Sequence, residues 1–211
     1  MELYFSPLAC SVATRIALYE AGVDARFVEV DPKTHTLLED GSPFSRVTPL
    51  ALVPALRTDD GEVLVENAAV LQHVANAHPE AGLAPTDVRG RERLQQWLCF
   101  IGTELHKLVF APLLDASAPA GAREYALSKV AVRFDLLSRH LEGRDFLLER
   151  FSVADAYLVT VLSWAVATPI ELGSWPVLAA YVARLRKRPS VAKALAIELP
   201  LYQAELARHA A

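Results

Sequence analysis

The feature that most constrains this chain is a change of hydrophobic period near residue 80. Before it, short apolar runs of period two alternate with helical patterns; after it, only the helical period is found. The change falls in "HPEAGLAPTDVRG", residues 78–90, where Pro79, Gly82, Pro85 and Gly90 break any regular element. A chain patterned this way is expected to fold as an α/β domain over residues 1–80, a linker at 81–88 and an all-α helical bundle domain over 89–211.

Within the first region, "ELYF" reads as a strand, and Ser11 to Ala21 as a helix that Gly22 can close in the left-handed conformation. "RFVEV" (26–30) alternates and reads as a second strand. The stretch from Asp31 to Thr48 is polar and irregular, with turns at Gly41 and Pro43. "PALRTDDGEVLVE" is a hairpin whose Gly61 can take positive φ, and Asn67 to Ala77 is a helix with Asn67 as its expected N-cap. This order, joined by a right-handed crossover and a terminal hairpin, gives a small mixed sheet of thioredoxin-like type.

The second region opens with a long helix, "RGRERLQQWLCFIGTELHKLVFAPLL". Leu94, Trp97, Ile101, Leu105 and Leu108 are expected on one face of it, with Cys99, Thr103, His106 and Phe110 on the opposite stripe at 100° per residue. Further helices are expected at 122–141, 153–167 and 175–187, followed by a short terminal pair. In "FSVADAYL", Ser152 and Asp155 form a capping box at the start of a buried helix, a structural motif without chemistry.

Bulk properties exclude several functions. A net charge of −4 over 211 residues, with both signs interspersed, leaves no basic field to hold nucleic acid. The most apolar run, "VADAYLVTVLSWAVATPI" (153–170), is interrupted by Asp155, Thr160, Ser163 and Pro169. It reads as a core helix and not as a membrane span. The start, "MELYFSPLAC", lacks a basic segment followed by a long apolar one, so no signal peptide is expected. Cys10 and Cys99, the only cysteines, form neither a disulfide framework nor a zinc pattern. No metal site is expected, and a reducing, cytoplasmic compartment suits the thiols.

Three features could carry chemistry. Cys10 stands just before the first turn of a helix that follows a strand, where orphan N–H groups and the helix dipole favour a thiolate. The position that would complete a dithiol motif in "CSVA" is Ala13, so a redox cycle would need an external thiol. The alternative is a small apolar filler. The Val53-Pro54 bond, at the entrance of a strand, is either a cis bond presenting Val53's backbone to a peptide-like ligand or an ordinary edge proline. Glu66 and Asn67 sit where the hairpin meets a helix N-terminus, which either binds a carboxylate and an amino group or is simply capped. Together the three suit a short extended peptide bearing a thiol, an amino group and carboxylates.

The segments "LYFSPLACSVATRIAL", "VPAL", "DDGEVLVE", "LQQWLCFIGTELHK" and "SVADAYL", in this order and spacing, resemble the cytosolic glutathione transferases, most of all the bacterial beta class. The resemblance covers essentially the whole chain. It implies a thioredoxin-like glutathione domain, a helical domain that receives a small hydrophobic electrophile, glutathione as co-substrate, and a homodimer. By position it assigns Cys10 to the thiol beside the glutathione sulfur. Val53 with Pro54 pairs with the cysteinyl backbone, and Glu66 with Asn67 meets the γ-glutamyl end. His106 faces the thiol from the helical domain, and Glu104 reaches toward the partner's site.

Three departures from the class accompany these matches. Cys99 stands where the class usually has an asparagine. His35, or its neighbour Thr36, lies where a lysine holds the glycine carboxylate, and histidine is only partly charged at neutral pH. Ala51 replaces a glycine beside the ligand edge, restricting the backbone. The expected activity is transfer of the glutathione thiolate to an electrophile, with Cys10 as activator and Ser11 and Tyr4 as rival hydroxyls. Two other readings are a thiol-disulfide oxidoreductase or reductive dehalogenase working through Cys10, and a non-catalytic binding protein on the same scaffold.

Overall fold

Strand β1 (Glu2–Phe5) alternates strictly: Leu3 and Phe5 face one side of the sheet and Tyr4 the other. β2 (Arg26–Asp31) runs parallel to β1, pairing Leu3 with Phe27 and Tyr4 with Val28. The connection between them is helix α1 (Ser11–Glu20), and Gly22 (φ 67) ends it as expected, with the Val23 N–H returning to the Leu18 carbonyl at 3.0 Å. β3 (Thr36–Leu37), β4 (Ala55–Arg57) and β5 (Val63–Val65) complete a five-stranded mixed sheet in the order β3-β2-β1-β4-β5. The hairpin β4–β5 turns at Gly61 (φ 90). Helix α2 (Asn67–Ala77) follows directly. The strand β3 lies inside the stretch expected to be irregular; it forms because Leu37 buries its side chain while pairing antiparallel with Val30.

The computed structural model describes residues 1–210. It divides into two units, Met1–Ala84 with the chain from Pro189 onward, and Pro85–Arg188. On one face of the sheet, Tyr4, Val28, Val30, Leu37, Phe44 and Ala55 make a single core cluster. On the other face α1 packs against α2 and against α8 (Pro189–Arg208), the last helix of the chain. From its sequence this last segment is expected to belong to the helical domain as a short pair of helices. It is one helix, and its buried positions Val191, Ala194 and Glu198 lie at helical spacing. Pro200 is tolerated inside it because both Pro200 and Ala196, whose carbonyl loses its donor, are exposed.

The second unit is all helix. α3 (Val88–Phe100) continues without a break through a π-helical stretch, Ile101–Phe110, into α4 (Ala111–Leu114). α5 (Ala120–Leu141), α6 (Val153–Ser163) and α7 (Pro176–Leu185) pack around this axis. α6 is buried along nearly its whole length, from Val153 to Leu162, as its largely apolar character requires, with Asp155 and Thr160 hydrogen-bonded inside the core. Its capping box is present: the Ser152 N–H and Oγ–H both donate to the Asp155 carboxylate at 2.9 Å.

Candidate functional site

In the first unit, Cys10 is at the N-cap of α1 (φ −62, ψ −18), buried, with its thiol donating to the Val53 carbonyl at 3.4 Å. The Val53-Pro54 bond is cis. Its carbonyl thus meets the first turn of α1, and the two sequence features that could be read apart are brought into direct contact. Ser11, the rival activator, is fully buried and donates to the Ser6 carbonyl at 3.2 Å. Tyr4 is turned to the opposite face of the sheet, where its hydroxyl donates to Glu2 and accepts from Arg57 at 3.2 Å. Burial and the Glu2 carboxylate push its pKa up, away from any role as an acid near neutrality. Neither hydroxyl is available to a ligand sulfur.

Asn67 corrects an expectation. The cap position of α2 is taken by Glu66 at φ 67, and Asn67 is the first helical residue. Its amide is buried: Nδ2 donates to the Cys10 carbonyl at 3.1 Å, and Oδ1 accepts from Thr14 Oγ1 at 3.0 Å. The side chain is therefore a strut between α1 and α2, not a cap. What α2 offers outward is the exposed Glu66 carboxylate and its first N–H groups, those of Asn67 and Ala68; the Ala69 and Val70 N–H groups already bond the Glu66 carbonyl at 2.9 and 3.0 Å.

His35 is exposed, at φ 53, with Nδ1 3.2 Å from the Ala51 carbonyl; Ala51 itself has φ 50. The restriction read from Ala51 is thus real: an L-residue occupies a conformation that glycine adopts without cost. Leu8, two residues before Cys10, also has positive φ (58). Among the described residues, Leu8, His35, Ala51 and Glu66 are the four non-glycine positions with positive φ. All four lie in the loops that carry Cys10, His35, Val53 and Asn67. Strain of this kind persists only where surrounding contacts over-determine it, and it concentrates at working sites.

Part of that support comes from residues that sequence reading passed over. Arg15 and Glu198 form a buried ion pair, Nε to Oε1 at 2.6 Å, and the second Glu198 oxygen accepts the Leu8 N–H at 2.8 Å. The Arg15 guanidinium lies over Phe5 at 4.3 Å and Phe27 at 3.9 Å. A carboxylate from the far end of the chain thereby pins the strained turn that leads to Cys10. The available signal was Glu198 standing on the apolar stripe of α8.

In the second unit, His106 lies on the π-helical stretch, where the Ala111 N–H bonds the His106 carbonyl five residues back. Its Nδ1 is 2.8 Å from the Tyr157 hydroxyl of α6, and its ring stands edge-on to Tyr157 and Trp164, with centroids at 6.1 and 4.9 Å. Burial, aided by the Lys107 charge, lowers its pKa to about 4, so the ring is neutral at physiological pH. Glu104 is half-buried and bonded by Arg133; Cys99 is exposed. The stripe expected to join Cys99, Thr103, His106 and Phe110 does not hold: Cys99 and Thr103 are exposed, but Phe110 is fully buried. A π-helix has more residues per turn than an α-helix, so a 100° step loses register across Ile101–Phe110. Among the described residues, no group of three His, Cys, Asp or Glu is placed to hold a metal ion.

Comparison with known proteins agrees with this architecture. The family described as glutathione S-transferase, N-terminal domain, matches residues 2–82, and glutathione S-transferase, C-terminal domain, matches residues 96–189. Glutathione S-transferase GstA of Escherichia coli O157:H7 is 36% identical over 94% of this chain and 98% of its own length. A sphingomonad glutathione S-transferase solved in complex with glutathione superposes with a TM-score of 0.88 at 39% identity, covering 94% of this chain and 98% of that one. The bacterial beta class glutathione S-transferase of Sphingomonas chungbukensis matches equally well, with a TM-score of 0.88, 39% identity and the same coverage. A thioredoxin-like unit with a cis-proline edge and a helix-end cysteine, followed by a helical unit, over the full length of such relatives, shows that the chain belongs to the glutathione S-transferase family.

Proposed function

We propose that the glutathione transferase reaction of this chain runs through Cys10, with glutathione lying along the edge built by Val53, Pro54, Glu66 and the first turn of α2. What carries this reading is the 3.4 Å approach of Cys10 Sγ to the Val53 carbonyl, together with the commitment of the Ser11 and Tyr4 hydroxyls elsewhere. Val53 pairs with the cysteinyl part of glutathione, which brings the glutathione sulfur beside Cys10. The N-terminal turn of α2 takes the γ-glutamyl carboxylate and Glu66 its amino group. His35 takes the glycine carboxylate. Asn67 acts at one remove, by fixing the Cys10 carbonyl. Cys99, Glu104 and His106 contribute from the helical unit, which also receives a small hydrophobic electrophile. The chemical core is formation of the glutathione thiolate, the attacking nucleophile.

The relatives solved with glutathione support the co-substrate. A cytoplasmic, detoxifying homodimer fits this picture. In favour of a second copy is an exposed apolar row on α5, where Tyr125 (56% exposed), Val132 (67%) and Leu136 (41%) recur on one helical face. A second reaction is favoured by Cys10 being the nucleophile in reach. Its thiolate attacks the glutathionyl sulfur of a mixed disulfide, releasing the other thiol and leaving Cys10 joined to glutathione. A second glutathione thiolate then restores Cys10 and leaves as glutathione disulfide.

The test is calorimetric titration of the reduced protein with glutathione at pH 6 and pH 8, followed by conjugation and disulfide-reduction assays on Cys10→Ser. One site per subunit in the micromolar-to-millimolar range is expected. Cys10→Ser should abolish disulfide reduction and only weaken conjugation. Absence of binding at both pH values would leave the scaffold as a non-catalytic binding protein.

A further inference from the structure

An exposed histidine serves a ligand well only if its backbone is fixed, and the turn between β2 and β3 fixes His35. The Asp31 carboxylate accepts the Lys33 and Thr34 N–H groups at 2.9 and 3.1 Å, and the Asp31 carbonyl accepts the His35 N–H at 2.9 Å. Asp31 thereby closes the turn that delivers His35 at φ 53. Beyond it, the N–H of the fully buried Phe44 bonds the His35 carbonyl at 2.8 Å. Asp31 is itself 4% exposed, and a buried carboxylate needs further donors. They come from the end of α8, 178 residues away in sequence. His209 Nε2 lies 3.0 and 2.9 Å from the two Asp31 oxygens, and Arg208 bonds the neighbouring Glu29 at 2.9 Å with its Nε 3.9 Å from Asp31.

We propose that His209 is a positioning residue for glutathione binding: by holding Asp31 from α8, it fixes the turn that presents His35 to the glycine carboxylate. The part played by His35 rests on the reading given above. α8 reaches this place as a packed helix, anchored by Val191, Ala194 and Glu198. The surroundings make the His209 bond count. Glu205, one helical turn before His209, has its pKa pushed up by burial and by the Asp31 charge, and its Oε2 is buried without a hydrogen-bond partner. Burial works against the Asp31 charge as well, but the Thr34 and Lys33 N–H groups and His209 outweigh it and hold its pKa below 3.8. Without His209, Asp31 faces Glu205 and Glu29 with one donor fewer. Turning toward water then takes its carboxylate away from the Lys33 and Thr34 N–H groups, and His35 loses the turn that aims it.

The experiment compares two ligands, glutathione and γ-glutamylcysteine, which is glutathione without its glycine. Each is titrated calorimetrically into the reduced full-length protein and into His35→Ala, His209→Ala and His209→Gln. His35→Ala should weaken glutathione by about tenfold, the worth of one hydrogen bond to a carboxylate, and His209→Ala by about three- to tenfold. γ-Glutamylcysteine should bind both variants within about twofold of the unmodified protein, because only the glycine end is served by this turn. His209→Gln keeps an N–H near the ε position and should restore glutathione affinity to within about twofold. Amide hydrogen exchange without ligand should show Lys33, Thr34 and His35 losing protection in His209→Ala and keeping it in His209→Gln. Equal losses for the two ligands in His209→Ala would reveal a merely structural role and overturn the assignment, as would unchanged protection of the turn. Unchanged glutathione affinity in His35→Ala would overturn the reading of His35 and the assignment with it. A loss in His35→Ala with none in His209→Ala would overturn the assignment alone.

Discussion

Among the described residues, two side-chain carboxylates, those of Asp155 and Glu198, are completely buried, and they are held in opposite ways. Asp155 opens α6 and is surrounded by neutral donors: the Leu147 N–H and Tyr181 hydroxyl at 2.8 Å, and the Ser152 N–H and hydroxyl at 2.9 Å. Three of the four come from within eight residues of chain. Glu198 is instead held by a cation, Arg15 at 2.6 Å, and by the Leu8 N–H, 183 and 190 residues away in sequence. The first closes a local motif and starts a helix. The second joins the end of the chain to the turn before Cys10. A buried charge can be satisfied by many weak local dipoles or by one distant opposite charge, and the second solution ties stability to the site.

The largest effect should come from Glu198→Ala. It leaves the Arg15 guanidinium buried without its partner, and losing one member of such a pair costs roughly 3–5 kcal/mol. Because Leu8 loses its acceptor too, glutathione affinity should fall along with the denaturation midpoint. The double variant Arg15→Met/Glu198→Ala should recover much of the stability but not the affinity. Full recovery of both would mean that the ion pair, and not the Leu8 bond, connects α8 to the site. Asp155→Ala comes next. It strands the Leu147 and Ser152 N–H groups and the Tyr181 hydroxyl, about 1–3 kcal/mol each before relaxation, and about 3 kcal/mol in total after it. Here chemical unfolding should shift while the glutathione affinity of the folded fraction holds. A parallel loss of affinity would break the contrast between the two carboxylates.

The pH dependence separates them from His106. Burial raises Asp155 above its ordinary 3.8 and, against the pull of Arg15, Glu198 above 4.5. The stability each contributes is present below its unfolded pKa and is lost as pH rises through the folded one. His106 has the reverse sign. Its pKa falls from 6.5 to about 4, so its contribution is present above 6.5 and is lost as pH falls through 4, about 3 kcal/mol in all. Unfolding free energies between pH 4 and pH 6.5 should therefore rise less steeply with pH in His106→Gln than in the parent protein. They should rise more steeply in Glu198→Gln. Identical slopes in all three proteins would mean that neither group titrates differently on folding.

The same contrast explains how much could be read from the sequence. The strands β1, β2, β4 and β5, the hairpin turn at Gly61, the helix end at Gly22 and the Ser152–Asp155 box are each marked by residues close in the chain. Their signals are local and were legible, whereas β3 depends on its pairing with Val30. The cysteine at a helix start and the proline at a strand entrance were visible too, though not their 3.4 Å contact. Glu198 stands on the apolar stripe of α8, which marks it as buried, but its partners Arg15 and Leu8 lie too far away in the chain to be read from that stripe. Asn67 misled because an asparagine before an apolar run is a good cap in isolation. A buried carbonyl at Cys10 and a hydroxyl at Thr14 made a better use of its amide. The π-helical turns around His106 had no sequence signature, so the face that carried Phe110 was assigned wrongly.

The smallest expected effect tests whether the strained edge is set by its own backbone or by its distant support. Ala51 sits at φ 50 with its N–H on the Thr48 carbonyl at 2.9 Å and its own carbonyl on His35. Ala51→Gly relieves about 1 kcal/mol of left-handed strain and gives back about 0.5–1 kcal/mol through a looser unfolded chain, so stability should change by less than about 0.5 kcal/mol. Ala51→Val, stiff at the same backbone angles, should cost about 1 kcal/mol or more. If Glu198 holds this edge in shape, through Leu8 and the contact of Cys10 with Val53, glutathione affinity should rise only slightly in Ala51→Gly, read by the same calorimetric titration. A tenfold gain, about 1.4 kcal/mol, would mean instead that the alanine itself holds Val53 away from its ligand. The loop before the cis-proline, and not the distant ion pair, would then govern the site.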